Sequence, residues 1–322
     1  MPNDYVIIDS HVHLWEKQEG WVNSRPVYGL GNGLSLFLGE VHQMMPPYMT
    51  DNKNTAERLI ANMDYAGICA CAVTQEYLDG NQDRYLLDVR NKYPGRFRIT
   101  ALYEDENMPV ADDISRYIAA FREGLQPVVP VGKSPRYRLD GFDGLKICAC
   151  RLKDRDLTHM LDVFKVVESA GKYVSIDMAD GDEQVESLRT VIEQCPTLRI
   201  AIGHFGMVTT PGWQKQTELA KYKNVYIESG GLTWLFHKEF YPYPSAVDAI
   251  LEAKDICGID KLMWGSDYPR TMTDITYTSA VRFILESSKL TDAEKRAFLG
   301  ENAVRFYGFE GLKPLPNILN ML

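Results

Sequence analysis

The chain has 322 residues, 45% of them hydrophobic, and a formal net charge of −9. That size supports a large core in one big domain or two ordinary ones, and the acidic balance argues against a nucleic-acid footprint or a polybasic membrane patch. No apolar stretch approaches the roughly 20 residues a membrane-spanning helix needs, and Met1-Pro2-Asn3-Asp4 lacks the basic and apolar regions of a signal peptide, so a cytoplasmic protein is expected.

A short β-branched run predicts a first strand over 5–9, with His11-Val12-His13 at its end. Residues two apart on an extended chain point the same way, so two of the six histidines can reach one divalent cation. The segment 20–53 holds five glycines and three prolines, is rich in aromatic residues and Met, and has no strong periodicity. It is expected to be a long loop inserted after strand one that covers the site. Further strands are predicted over 68–74, 97–103, 144–148, 172–178, 199–202, 225–228 and 262–265. Helical periodicity fills 55–65, 82–92, 112–121, 158–170, 185–194, 213–222 and 246–257, and 275–287 leads to a closing helix over 292–298.

Eight strands separated by single helices imply parallel pairing with right-handed crossovers, hence a single-domain (β/α)8 TIM barrel over 1–322. No glycine-rich phosphate loop follows strand one, which weighs against an open doubly wound sheet. In a barrel of this kind the site lies at the C-terminal strand ends, where His11 and His13 fall. In strand five, Tyr173, Ser175 and Asp177 share one face and Val174, Ile176 and Met178 the other, which suits a polar mouth and an apolar helix layer. The pairs Cys69/Cys71 and Cys148/Cys150 lie in or at the end of strand-like runs and read as small buried side chains rather than a disulfide framework or thiolate site.

Three more strand ends carry chemistry: Gly203-His204-Phe205-Gly206, Trp264-Gly265-Ser266-Asp267-Tyr268-Pro269 and, on strand five, Asp177 and Asp180. With Ile8-Asp9-Ser10-His11-Val12-His13-Leu14-Trp15 and the closing Gly300-Glu301-Asn302-Ala303, these motifs resemble the amidohydrolase superfamily over nearly the whole chain. The likeness is to the branch with aminocarboxymuconate-semialdehyde decarboxylase, resorcylate decarboxylases, sugar lactonases and pyrone-dicarboxylate lactonase. The resemblance implies that His11 and His13 are metal ligands, and that Asp267 binds the metal and accepts a proton from the attacking water. His204 would bind the metal or polarise the substrate. One departure is plain: strand five ends without the histidine of the decarboxylases and usual metal hydrolases, and Asp177 is the candidate for its place. Lactonase members also tend to lack that histidine, which shifts the expectation toward lactone or ester hydrolysis.

The expected cofactor is one divalent ion, Zn²⁺ or Mn²⁺, bound weakly or dispensed with; a carboxylate in place of an imidazole favours the harder cation. The expected partner is a small carboxylated or polyhydroxylated substrate, and a homo-oligomer is open. Arg270 and Arg151 are candidate carboxylate contacts, and Lys146 reads as a cationic substrate contact or an ion-paired lysine. Tyr103, Glu76, Trp234 and His237 are pocket candidates by position, as are Tyr77, Glu104 and Glu228. His42 has no positional support, and His159 reads as a surface residue on a helix. Leu315, Ile318 and Leu319 could dock the tail on a partner or on the same chain. The alternative reaction is metal-dependent decarboxylation of an aromatic or enoic acid. A barrel without catalysis is the third possibility, weakened by the joint presence of His11, His13, His204 and Asp267.

Overall fold

The computed structural model describes residues 4–316 and residue 318, so Leu319 lies outside it. Its strands are, in chain order, β1 (Ile8–Val12), β2 (Glu19–Val22), β3 (Arg25–Gly31), β4 (Leu34–Phe37), β5 (Glu40–Gln43), β6 (Ala70–Val73), β7 (Phe97–Leu102), β8 (Gly144–Ile147), β9 (Tyr173–Ile176), β10 (Arg199–Ile202), β11 (Val225–Glu228) and β12 (Leu262–Met263). β1 and β6 to β12 form one eight-stranded parallel sheet in sequential order. The sheet closes through the residues that follow β12. Ser10 N–H donates to the Trp264 carbonyl (2.9 Å), Asp267 N–H to the His11 carbonyl (2.9 Å) and His13 N–H to the Tyr268 carbonyl (2.8 Å). The expected (β/α)8 barrel is the fold.

Helices return the chain between strands, among them Ala56–Ala66, Asp83–Lys92, Ala111–Arg122, Leu161–Ser169, Val185–Gln194 and Pro244–Cys257, with Tyr277–Glu286 after β12. Each packs one apolar stripe inward; in Val185–Gln194 the buried stripe is Val185, Leu188, Val191 and Ile192. The alternation of β9 sorts its side chains between two cores, as expected. Val174 and Ile176 join the large core under the helices, and Tyr173 joins the core inside the barrel. There the small Ala70, Ala72 and Ala201 leave room for Phe306 and Tyr307 of the last helix, Asn302–Tyr307. The two rings pack edge-on against Tyr173, with centroids 5.5 and 5.1 Å away. This plug seals the N-terminal end of the barrel and leaves the opposite end for a site.

Two expectations need correction. The first strand is Ile8–Val12 rather than 5–9, because β6 and the segment after β12 flank the chain only from Ile8 onward. The segment 20–53 is not an irregular loop: β2 to β5 form a four-stranded antiparallel sheet. Its hairpins turn at Asn23-Ser24, Asn32-Gly33 and Leu38-Gly39, each with both residues at positive φ, the handedness that matches strand twist. Strands of four to seven residues, from fully buried in β2 to fully exposed in β5 and without clean alternation, concealed the pattern. β2 is moored on the loop after β6, where Trp21 N–H donates to the Tyr77 carbonyl at 2.9 Å. Among the described residues no helix is long and apolar enough to cross a membrane.

The closing motif locks the barrel from below. Asn302, fully buried, donates through Nδ2 to the carbonyls of Ile259 (2.7 Å) and Leu262 (2.6 Å). Gly300 passes so close to β1 that an added Cβ would lie 1.8 Å from the Val6 carbonyl oxygen, a backbone atom no rotamer change can move aside. Gly300→Ala should therefore cost about 1–3 kcal/mol or more, read as a lower urea midpoint at unchanged slope; an unchanged midpoint would contradict this packing.

Candidate metal centre and active site

Barrel closure brings β1 beside the segment after β12, and with it His11 and His13 beside Asp267. His11 is buried, and its Nδ1 lies 2.6 Å from Glu228 Oε1 at the end of β11. A carboxylate accepts there, so the ring proton sits on Nδ1 and the Nε2 lone pair is free. His11 Nε2 lies 3.2 Å from His13 Nε2, which is 3.0 Å from Asp267 Oδ1; the third edge, His11 Nε2 to Asp267 Oδ1, is 3.8 Å. Ligands about 2.0–2.1 Å from a tetrahedral Zn²⁺ stand roughly 3.3 Å apart, so this triangle is of cation-binding size. The other Asp267 oxygen, Oδ2, is taken by the indole N–H of Trp234 at 2.7 Å.

A second group shares His11 and adds Asp177 and His204. The Nδ1–H of His204 donates to the Gly230 carbonyl at 2.8 Å, which leaves Nε2 facing Asp177 Oδ1 at 3.9 Å. Asp177 is held by the Lys146 ammonium at 2.6 Å. A Cβ on residue 203 would lie 2.3 Å from Asp177 Oδ1 and 2.8 Å from Glu228 Oε1, so only glycine admits both carboxylates. His204 (φ 56°) and Asp267 (φ 61°) both sit in the left-handed region, a conformation that tightly built sites impose on non-glycine residues.

Charge supports a cation at this centre. The buried carboxylates that pair with these imidazoles, Lys146 or the cavity arginines are Glu76, Asp79, Asp177, Glu228 and Asp267. They face only Lys146, Arg151 and Arg270, so with neutral histidines two negative charges stand over among these groups, the charge a divalent ion cancels. Burial alone would raise the Asp267 carboxyl, but the His13 hydrogen bond and the positive potential of His13, His11 and Arg270 hold it well below the usual range. Burial and the Arg270 charge push His13 down, toward the neutral ligand form. For His11 burial pulls downward, and Glu228 outweighs it and raises the ring. Asp177 is likewise held low against its burial, chiefly by Lys146. The residues fit a metal: three donor atoms converge, a carboxylate fixes the His11 tautomer, and His13 Nδ1 is buried without a partner.

The centre opens into a cavity of about 690 Å³ lined by His13, Glu76, Arg151, Asp177, His204, Trp234, His237, Asp267 and Arg270. Phe37, His42, Gln43 and Met44 of the antiparallel sheet and its exit line it too. Tyr77 and Glu104 lie off this lining, and two further candidates need correction. Lys146 is fully buried, absent from the lining and spent on Asp177, which makes it the ion-paired lysine. Tyr103 also lies off the lining and stacks on Tyr137, 5.9 Å between centroids, because its side chain turns toward the neighbouring loop. Arg151 lines the cavity but is neutralised by Glu76, both of whose carboxylate oxygens lie 2.9 Å from its Nε. Arg270 gives Nη2 to Asp79 at 2.8 and 3.0 Å, and its buried Nε and Nη1 have no protein partner.

His42 reaches the cavity from β5, which no strand-end argument could foresee. Asp79 is not among the sequence candidates; only its place six residues after the hydrophobic β6 hints at it. His159 is exposed and paired with Asp154, as expected. All six thiols are free, and among the described residues none joins a metal-ligating group.

A family model described as amidohydrolase matches residues 8–309. No curated protein matches the sequence. Among solved structures, a zinc-bound amidohydrolase of Burkholderia multivorans is 17% identical, covers 94% of this chain and 99% of its own, and superposes with a TM-score of 0.62. A candidate 2-pyrone-4,6-dicarboxylic acid hydrolase of Pseudomonas putida is 20% identical, with 95% and 99% covered and a TM-score of 0.61. A 5-carboxyvanillate decarboxylase of Novosphingobium aromaticivorans, solved with manganese, is 18% identical, with 79% and 80% covered and a TM-score of 0.51. At these identities the likeness is one of fold.

Protein purified without chelator should carry about one divalent ion per chain, and His13→Ala should lose it. Glu228→Gln, which frees the His11 tautomer, should weaken binding about 10–100-fold with the fold intact. Elemental analysis and chelator competition check both; full affinity in Glu228→Gln would remove Glu228 from the centre.

Proposed function

Because the chain belongs to the amidohydrolase family, we propose that it is a metal-dependent hydrolase opening a lactone or related ester of a small carboxylated or polyhydroxylated molecule. The observation that carries this reading is the convergence of His11 Nε2, His13 Nε2 and Asp267 Oδ1 on one point at the cavity floor. A divalent cation held there polarises a carbonyl and makes water a competent nucleophile near neutral pH.

The chain's own groups supply the rest. Asp267, kept ionised by its surroundings and held through Oδ2 by the Trp234 indole, is the carboxylate placed to take the proton of the attacking water. His204, oriented by the Gly230 carbonyl, lines the cavity and is the imidazole placed to polarise the substrate carbonyl. Arg270, its Nη2 anchored by Asp79, lines the cavity and supplies positive charge for a substrate carboxylate. Phe37, Met44 and Trp234 give the cavity an apolar lining beside these polar groups. Hydrolysis is favoured over decarboxylation because β9 leads to Asp177, tied to Lys146, where the decarboxylase pattern calls for an imidazole.

Metal-loaded protein should open carboxylated lactones, followed by acid release at constant pH. Asp267→Asn should lower kcat by on the order of 10²–10⁴, and Arg270→Gln should act mainly on KM for carboxylated substrates. Release of CO₂ from an aromatic or enoic acid, with no lactone opened, would replace this reading by the decarboxylase.

A further inference from the structure

The two cation-facing imidazoles differ in what stands behind them. His11 Nδ1 has Glu228 at 2.6 Å, whereas His13 Nδ1 is buried with no hydrogen-bond partner. The nearest carboxylate at that nitrogen is Asp79, with Oδ2 at 3.7 Å. In the arrangement described, His13 Nε2 faces Asp267 Oδ1 at 3.0 Å, a contact that needs the ring proton on Nε2. Nδ1 is then a bare lone pair facing a carboxylate, two acceptors with nothing between them. A cation at Nε2 would remove that conflict, because the neutral ring then carries its proton on Nδ1, directed at Asp79.

Asp79 is built to receive it. Its side chain is only 3% exposed. Arg270 Nη2 donates to both carboxylate oxygens at 2.8 and 3.0 Å, and Gln18 Nε2 donates to Oδ1 at 3.2 Å. Both neighbours are donors, so they hold the carboxylate but cannot accept a proton from His13. Gln18 is in turn fixed by the fully buried Ser35 hydroxyl of β4, which donates to its Oε1 at 2.6 Å. The Asp79 carbonyl accepts the Glu19 N–H of β2 at 3.3 Å. A buried polar chain thus runs from the antiparallel sheet through Ser35, Gln18 and Asp79 to His13.

We propose that Asp79 is the positioning residue for His13, accepting the Nδ1 proton of the cation-ligating imidazole, and that the antiparallel sheet, through Ser35 and Gln18, holds it at that task. This rests on the metal-centre reading above but not on the identity of the substrate. It also gives Arg270 a second duty, clamping Asp79.

The test is Zn²⁺ affinity by chelator competition, with ¹⁵N resonances of the His13 ring in the Zn²⁺-loaded protein. Asp79→Asn should weaken Zn²⁺ about tenfold or more, and Asp79→Glu should restore part of the loss. The His13 Nδ1 signal of the loaded wild type should be that of a protonated nitrogen and should move in Asp79→Asn. Unchanged affinity in Asp79→Asn, or an unprotonated Nδ1 in the loaded wild type, overturns the proposal while leaving the hydrolase reading standing. A wild type that binds no divalent ion overturns the metal centre and this proposal together. If Asp79→Asn fails to fold, Asp79→Glu carries the same comparison: unchanged Zn²⁺ affinity and an unmoved His13 Nδ1 signal overturn the proposal.

Discussion

Closure of the sheet between its first strand and the residues after its last is the interaction on which everything at the site depends. Three backbone hydrogen bonds, from Ser10, His13 and Asp267, fasten chain segments more than 250 residues apart in sequence. Without them His11 and His13 would face solvent at the edge of an open sheet, and Asp267 Oδ1 would lose its histidine partners. The same closure carries Asp9, whose carboxylate accepts the backbone N–H groups of His11 and Ser266 and the Tyr277 hydroxyl. Burial raises Asp9 to about 6, against which those hydrogen bonds act. The seam is therefore polar, and its backbone N–H groups at Ser10, His11, His13, Ser266 and Asp267 are all engaged, as a buried backbone requires.

The site is an electrostatic compromise. Buried carboxylates outnumber the cations beside them, and each is stabilised by a specific neighbour: Asp177 by Lys146, Glu76 by Arg151, Asp79 by Arg270. Unpaired, such groups would be too costly to bury. What remains uncompensated lies at His11, His13 and Asp267, the group that could hold a divalent ion. The structure thus concentrates its unmet charge at the centre and satisfies the periphery.

The antiparallel sheet gives the barrel a wall that βα loops alone would not supply. It contributes Phe37, His42, Gln43 and Met44 to the cavity and lies against the loop that bears Glu76 and Asp79. Its backbone contact with that loop is close: a Cβ at Gly20 would lie 2.3 Å from the Tyr77 and Leu78 carbonyl oxygens. Substrate-facing residues and the carboxylate behind His13 therefore share one support, which ties the shape of the mouth to the geometry of the floor.

The barrel and its principal site residues were legible because both rest on local pattern. Short β-branched runs alternating with 3.6-period stretches specify parallel strands and helices, and strand ends in a closed barrel converge by topology alone, so His11, His13, His204 and Asp267 could be placed together from their positions in the chain. Even Asn32-Gly33 carried a hairpin signal, although the strands around it are too short and too irregular in burial to declare themselves. The partnerships were not legible. That Lys146 serves Asp177, that Glu228 orients His11, that Asp79 stands behind His13 and that His42 enters from a separate sheet are facts about side chains remote in sequence, meeting at distances that only packing sets. The sequence by itself determined which strand ends carry the ligands, because strand order and periodicity are local properties. The tertiary structure decided which charge answers which, because pairing in a buried site depends on separations of a few ångströms that no spacing along the chain encodes.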